Sequence, residues 1–293
     1  MKFNRVYNIG NIPIKIEMKT KSVLDTLDRS FFKSNSDEYE YSFSISEPEN
    51  DIEGFITVRY ESFDGSFLYK DTFVEGHVCD FFLGQMFPIM LRTYKKYLML
   101  HATGIHKDNV IYILINKSGS GKTTFSLQSI IFRDFSFFSD DSIIYDMEND
   151  TFYPVSKVLH IKKDTMRLFG MKCDEKKISY KTGGEEYAIF TIDEFFEKTN
   201  SNRIFEGNGE GMKFNRVYLL NTVYSSEKGF YIYPLAGIAK YKIIMENCAN
   251  VAEQHSNILN ILKNQWKDVN VYKTISNDFS EILDQVDNIN RLY

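Results

Sequence analysis

The stretch VIYILINKSGSGKTTFSLQSI, Val110–Ile130, decides how the chain is read. An apolar run, Val110–Ile115, enters a loop rich in Gly and Ser, and Lys122, two threonines and an apolar-periodic segment follow. A strand that feeds a helix through such a loop predicts an α/β core. The octet Asn116-Lys117-Ser118-Gly119-Ser120-Gly121-Lys122-Thr123 fits GxxxxGK[ST] except at its first position, where Asn116 replaces glycine. That departure is mild, because Asn is the non-glycine residue that best tolerates the left-handed region. Gly119 and Gly121 free the backbone to turn its N–H groups around phosphate oxygens. Lys122 can reach the β and γ phosphates as a point charge, and the Thr123 hydroxyl can ligate Mg²⁺. The helix beginning near Lys122 offers its N-terminus to the anion. Asn116 to Thr124 are therefore expected to wrap the triphosphate of a nucleotide, with Mg²⁺.

Composition narrows what surrounds this loop. The 293 residues allow one large domain or a core plus a smaller module, and 43% hydrophobic content fits a packed globular chain. A net charge of -5 gives no basic face for nucleic acid. Cys79, Cys173 and Cys248 are odd in number and lack CxxC spacing, so a reducing, cytoplasmic setting is expected. No apolar run reaches membrane-spanning length, and the first residues read as strand, not as a signal sequence. Neither nucleic acid nor membrane is an expected partner; a homo-oligomer stays open.

Residues 1–95 read as a β-rich region and 96–293 as the nucleotide-binding domain. In the first part, YEYSFSISE and FITVRYES alternate with period two, and Asp64-Gly65 sits between alternating runs as a hairpin signal. A short helix is expected over Ser22–Phe32 with Ser22 as its cap. Val78–Tyr97 reads as helical, with Pro88 near its start or at a kink. In the second part, YLMLHATGI is a strand beside the loop strand. FSFFS is another, and SIIYDMENDTFYPV is a hairpin. TIDEFFEKT opens with a capping box, Thr191 and Glu194. EGNGEGM is a loop. Two helices close the chain, the last with Phe279, Ile282, Leu283, Val286, Ile289 and Leu292 on one face. MKFNRVY occurs at 1–7 and again at 212–218; the flanks diverge, and both copies read as strands.

The paired acids Asp140-Asp141 end an apolar strand 18 residues after Lys122, where a nucleotide-binding fold places its magnesium carboxylate. One acid could hold Mg²⁺ while the other accepts the proton of an attacking hydroxyl. Successive strand side chains face opposite ways, so both reach one phosphate only where the strand has ended. His101, 21 residues before Lys122, is the third candidate. Three readings follow: a kinase acting on a hydroxyl, a module using ATP as a conformational ligand, and, ranked last, carboxykinase-like decarboxylation.

LHATGIHKDNVIYILINKSGSGKTT together with FSDD resembles the catalytic core of the HPr kinase/phosphorylase family and its stand-alone relatives, in the P-loop group that includes phosphoenolpyruvate carboxykinase. The likeness covers about 50 residues: His101-Ala102, Ser118 to Thr123, and Asp140-Asp141. YPLAGIAKYKIIMENCA, 233–249, resembles a late strand-helix segment of that family, with Ala239 where an arginine is expected and Lys240 following. The resemblance implies a P-loop core with a mixed sheet and ATP-dependent phosphorylation of a Ser/Thr hydroxyl on a peptide or protein. It implies that Asp140 is the base, that Asp141 and Thr123 lie near the metal, and that His101 lies near the γ-phosphate. The amino-terminal part looks more like the β-rich leader of relatives found with peptide-modification systems than like a metabolic regulatory domain.

Overall fold

In the computed structural model the described residues are 2–46, 55–62, 68–74, 78–91, 94, 96–117, 119–171, 179–182, 185–198, 209–224, 230–249, 259–260, 264, 266, 269–276, 282, 284–286 and 288. They build a mixed α/β protein. In chain order the first elements are β1 (Phe3–Ile9), β2 (Ile12–Met18), α1 (Lys21–Ser30), β3 (Phe32–Lys33), β4 (Tyr41–Ser46), β5 (Phe55–Ser62) and β6 (Leu68–Val74). Next come α2 (Val78–Phe81), a π-helical turn (Phe82–Met86), α3 (Phe87–Leu91), β7 (Tyr97–Leu100), β8 (Ala102–Lys107), β9 (Val110–Ile115), α4 (Lys122–Arg133), β10 (Ser136–Ser139), β11 (Ile143–Asp146) and β12 (Thr151–Pro154). The chain continues through β13 (Val158–Lys162), α5 (Lys163–Leu168), β14 (Ser179–Thr182), β15 (Glu185–Thr191), α6 (Ile192–Lys198), β16 (Arg216–Tyr224), β17 (Phe230–Leu235), α7 (Gly237–Glu246) and β18 (Asn270–Ser276). No described helix is long and apolar enough to cross a membrane.

Two compact units result. One joins Met1–Pro88 to Tyr153–Gly211, and the other joins Ile89–Phe152 to Met212–Tyr293. One boundary between the units lies at 88/89, and residues 153–211 group with the amino-terminal part.

The first unit carries a six-stranded sheet, β3-β1-β2-β4-β5-β6. β2 shows why: Ile12, Ile14, Ile16 and Met18 are buried in strict alternation, the period-two pattern of a half-buried strand. β5 and β6 pair antiparallel from Glu61↔Leu68 onward, as the Asp64-Gly65 signal predicts; the turn itself lies outside the described residues. α1 starts one residue earlier than expected. Its N-cap is Thr20, without a side-chain hydrogen bond, and Ser22 lies inside the helix. Pro88 sits just after the π-helical turn, whose wider pitch accommodates a ring that would otherwise strike the carbonyl four residues back.

The capping box at α6 is present. Glu194 N–H donates to Thr191 Oγ1 at 3.2 Å, and Thr191 N–H donates to Glu194 Oε2 at 3.1 Å. Glu194 also accepts a forked bond from Arg29 at 2.9 and 3.1 Å, which ties α6 to α1. Glu194→Ala is expected to lower the unfolding free energy of this unit by about 1–2 kcal/mol, the range for losing a cap. A urea melt followed by circular dichroism measures it, and Glu194→Gln should recover part of the loss.

The second unit is built on the sheet β10-β8-β9-β16-β18-β17. β9, β16 and β18 run parallel; β8 is antiparallel to β9, and β10 antiparallel to β8. The carboxyl ends of β9, β10, β16 and β18 therefore share one edge, at which β8 begins. One face packs on a core of Leu98, Ile113, Tyr145, Leu219, Trp266 and their neighbours. β7, β11 and β12 form a separate small sheet, so the expected hairpin is present, and Asp146 closes its turn by accepting Glu148 and Asn149 N–H at 3.0 and 3.2 Å. YLMLHATGI is not one strand: it breaks at His101, leaving β7 against β11 and β8 against β9. The expected pair of closing helices is interrupted by β18, and of the last helix's apolar face only Ile282 and Val286 are described, both buried.

Gly104 sets the spacing of β8 and β10. A Cβ there would stand 2.8 Å from Ile143 Cδ1 and 3.1 Å from Phe138 Cδ1, and the β10 register shifts opposite it. Gly104→Val is expected to cost about 1–3 kcal/mol by overpacking. A thermal melt at unchanged midpoint would mean that β10 can move aside freely.

Candidate functional site

The sheet directions bring the candidate residues to one edge. β9 delivers the glycine-rich loop there, β10 delivers Asp140, and His101 stands where β8 begins. The rule that ligands of open α/β sheets bind beyond the carboxyl ends of parallel strands places a site at this edge.

The loop turns on its glycines. Gly119 and Gly121 have φ of 82° and 91°, values that disfavour any residue with a Cβ. Gly121 is the N-cap of α4, and its carbonyl accepts Phe125 N–H at 2.8 Å. Asn116 makes no use of its tolerance for positive φ. Its side chain instead pins the loop: Nδ2 donates to Thr222 O at 2.7 Å on β16, and Oδ1 accepts Lys117 N–H at 2.7 Å. Lys122, 6% accessible, donates Nζ to Asn116 O at 2.6 Å and to Lys117 O at 3.3 Å. Ser118 lies outside the described residues. Thr124 is in the first turn of α4, and Lys117 is exposed. Ser120 is 9% accessible, and its Oγ has no hydrogen-bond partner. A buried hydroxyl without a partner is costly. At a helix N-terminus beside an ammonium it fits an oxyanion of a bound ligand.

The twin acids differ. β10 ends at Ser139, so both acids follow the strand, and Asp141 turns the chain with φ 62°. Asp140 is fully buried. Its Oδ1 accepts the Thr103 hydroxyl at 2.5 Å, and Thr123 Oγ1 stands 3.4 and 3.5 Å from its two oxygens. Thr123 and Asp140 are thus brought together, whereas the resemblance implied Thr123 with Asp141 near the metal. Asp141 is partly exposed, and its carbonyl accepts Ala102 N–H at 3.2 Å.

His101 is held by its backbone N–H, which donates to Asn247 O at 2.7 Å just past α7. Its Nδ1 lies 3.0 Å from Asp141 O. A carbonyl only accepts, so Nδ1 carries the proton and Nε2 of the neutral ring keeps its lone pair. The ring reaches water on one side, yet protein crowds it on the other. Loss of hydration lowers its pKa below the usual imidazole value, the Lys122 charge lowers it further, and Asp141 opposes both. The neutral form is favoured at pH 7.

Two contributors escaped the sequence reading. Thr103 is a buried polar residue in an apolar strand, and that mismatch is its only signal. Thr222 acts through its carbonyl, which no side-chain pattern reveals. The strand-helix segment resembled at 233–249 is β17 followed by α7, but Lys240 does not stand in for the missing arginine. Its Nζ donates to Trp266 O and Val269 O at 2.6 and 2.7 Å.

No family model matches the chain, and no curated protein matches it.

Proposed function

We propose that the chain is an ATP-dependent kinase that transfers the γ-phosphoryl group to a Ser or Thr hydroxyl of a peptide or protein, through a P-loop of the kind found in HPr kinase-like proteins. The observation that carries this reading is the convergence on one sheet edge of an α4 N-terminus, a buried Lys122, a partnerless Ser120 hydroxyl and the Thr123–Asp140 pair.

The roles follow from the geometry. The loop N–H groups, Ser120 Oγ and Lys122 Nζ bind the phosphate tail; Lys122 exchanges its bonds to two loop carbonyls for bonds to phosphate oxygens. Mg²⁺, held by Thr123 and a neighbouring acid, would supply neutralisation of the charge between the β and γ phosphates. The acceptor oxygen forms its bond to the γ-phosphorus as the bridging P–O bond breaks. The acceptor proton passes to a carboxylate of the twin-acid pair, and ADP leaves. The transition state is loose, so that carboxylate mainly orients the hydroxyl. His101, neutral and donating to Asp141 O, holds the second acid's backbone in place.

Incubating the pure protein with γ-labelled ATP, Mg²⁺ and peptides encoded beside its gene, then mapping the label by mass spectrometry, tests the reading. A labelled Ser or Thr is the expected result. Uptake of Mg-ATP with no labelled hydroxyl would leave a binding module and remove the kinase.

A further inference from the structure

The two acids are adjacent in sequence, with carboxylate oxygens within 4.8 Å of each other, but they differ in burial. We infer that they divide the work in the order opposite to the one the resemblance implies: Asp140 is the carboxylate of the magnesium side, and Asp141 is the one that meets the acceptor hydroxyl. The metal half of this inference rests on nucleotide binding alone; the acceptor half rests on the kinase reading.

Asp140 has no surface in water. Thr103, equally buried on the neighbouring strand, locks Oδ1 with a 2.5 Å hydrogen bond, and the Thr123 hydroxyl faces both oxygens. A peptide hydroxyl arrives from solvent and must come within hydrogen-bond reach of its base. Asp140 offers such a hydroxyl no accessible surface. Outside β8, the Thr123 hydroxyl stands 3.4 Å from it, and magnesium in phosphate sites is bound through one or two carboxylates plus the phosphates. Thr103 then acts as a positioning residue, the outer partner that fixes a ligating carboxylate.

Asp141 has the complementary properties. It lies past the strand end, with its backbone fixed through Ala102 N–H and His101 Nδ1 and its side chain partly in water. His101 Nδ1 lies 3.0 Å from Asp141 O and the His101 residue is exposed, so Asp141 stands beside a solvent-facing imidazole. An acceptor can enter there.

The test measures ATP affinity by calorimetry with and without Mg²⁺, alongside labelled transfer, in the full-length wild type, Asp140→Asn, Asp141→Asn, Thr103→Val and Thr103→Ser. The magnesium-dependent gain in affinity should fall by about tenfold or more in Asp140→Asn and Thr103→Val, and Thr103→Ser should restore it. Asp141→Asn should keep that gain and lose transfer through kcat, with the KM for ATP unchanged. Loss of the gain in Asp141→Asn with its retention in Asp140→Asn overturns the inference, as does a gain that survives in both. Should Asp140→Asn fail to fold, the Thr103 pair decides: equal gains in valine and serine variants overturn it. A wild type that shows the gain but labels no acceptor removes the kinase reading, and the metal assignment is still decided by the variants.

Discussion

Lys122→Ala is expected to weaken ATP binding and phosphoryl transfer together, by roughly a hundredfold to a thousandfold, the loss seen when one preorganised donor is taken from a developing charge. Lys122 is 6% accessible and its ammonium already rests on loop carbonyls, so it is positioned before any nucleotide arrives. The fold should survive, because the loop is anchored independently through Asn116 Nδ2 on Thr222 O and through Gly121 at the α4 cap. A thermal midpoint near that of the wild type, with affinity lost, is the expected pair of observations. Lys122→Arg should not rescue: a planar fork does not occupy the place of a compact ammonium in a tight loop. Unchanged ATP affinity in Lys122→Ala would mean that the loop is a structural Gly-Ser turn. Affinity lost while labelled transfer to an acceptor was never present would favour ATP as a conformational ligand.

What the sequence made legible here is local. The loop between Ile115 and Lys122, the Thr191/Glu194 box and the β5–β6 hairpin each rest on residues a few positions apart, and each is present in the fold. What it hid is non-local. The break of YLMLHATGI at His101 depends on β7 finding β11 and β8 finding β9, and both halves are buried. Asn116 tolerates positive φ, but a carbonyl on β16, more than a hundred residues on, decided its use. The grouping of 153–211 with the amino-terminal unit has no periodic signature at all.

The repeated MKFNRVY shows how far local pattern reaches. Phe3 to Tyr7 and Phe214 to Tyr218 follow the same sequence of burial, ending in a buried tyrosine in both copies. The pairing differs. The first copy is in β1 from Phe3 and pairs antiparallel with β2, whereas the second joins a strand only at Arg216 and lies in β16, between β9 and β18, both parallel. The two copies share a burial pattern, while partner and direction are set by the rest of the chain. The expectation that both copies are strands holds for Phe3 to Tyr7 of the first and for the last three residues of the second.

Trp266→Ala is expected to lower the unfolding free energy of the second unit by about 3–5 kcal/mol, the range for truncating a large buried aromatic to alanine. The residue is 1% accessible, with its ring centroid 4.9 Å from Tyr145 and 6.3 Å from Phe152, nearly parallel to the latter. Trp266 O also accepts Lys240 Nζ, so the residue joins α7 to β11 through both backbone and ring. β11 begins two residues after Asp141 and pairs with β7, which ends one residue before His101. The truncation should therefore loosen the support beneath both groups, and ATP affinity should fall before the unit melts. Trp266→Phe should restore most of the stability and the affinity, since it keeps an aromatic face on Tyr145. Trp266 is the only tryptophan, so its fluorescence reports this unit in the wild type, and circular dichroism must follow the variants. A loss in Trp266→Ala below about 1 kcal/mol, the level of an ordinary substitution, would place Trp266 outside the core on which the twin acids stand.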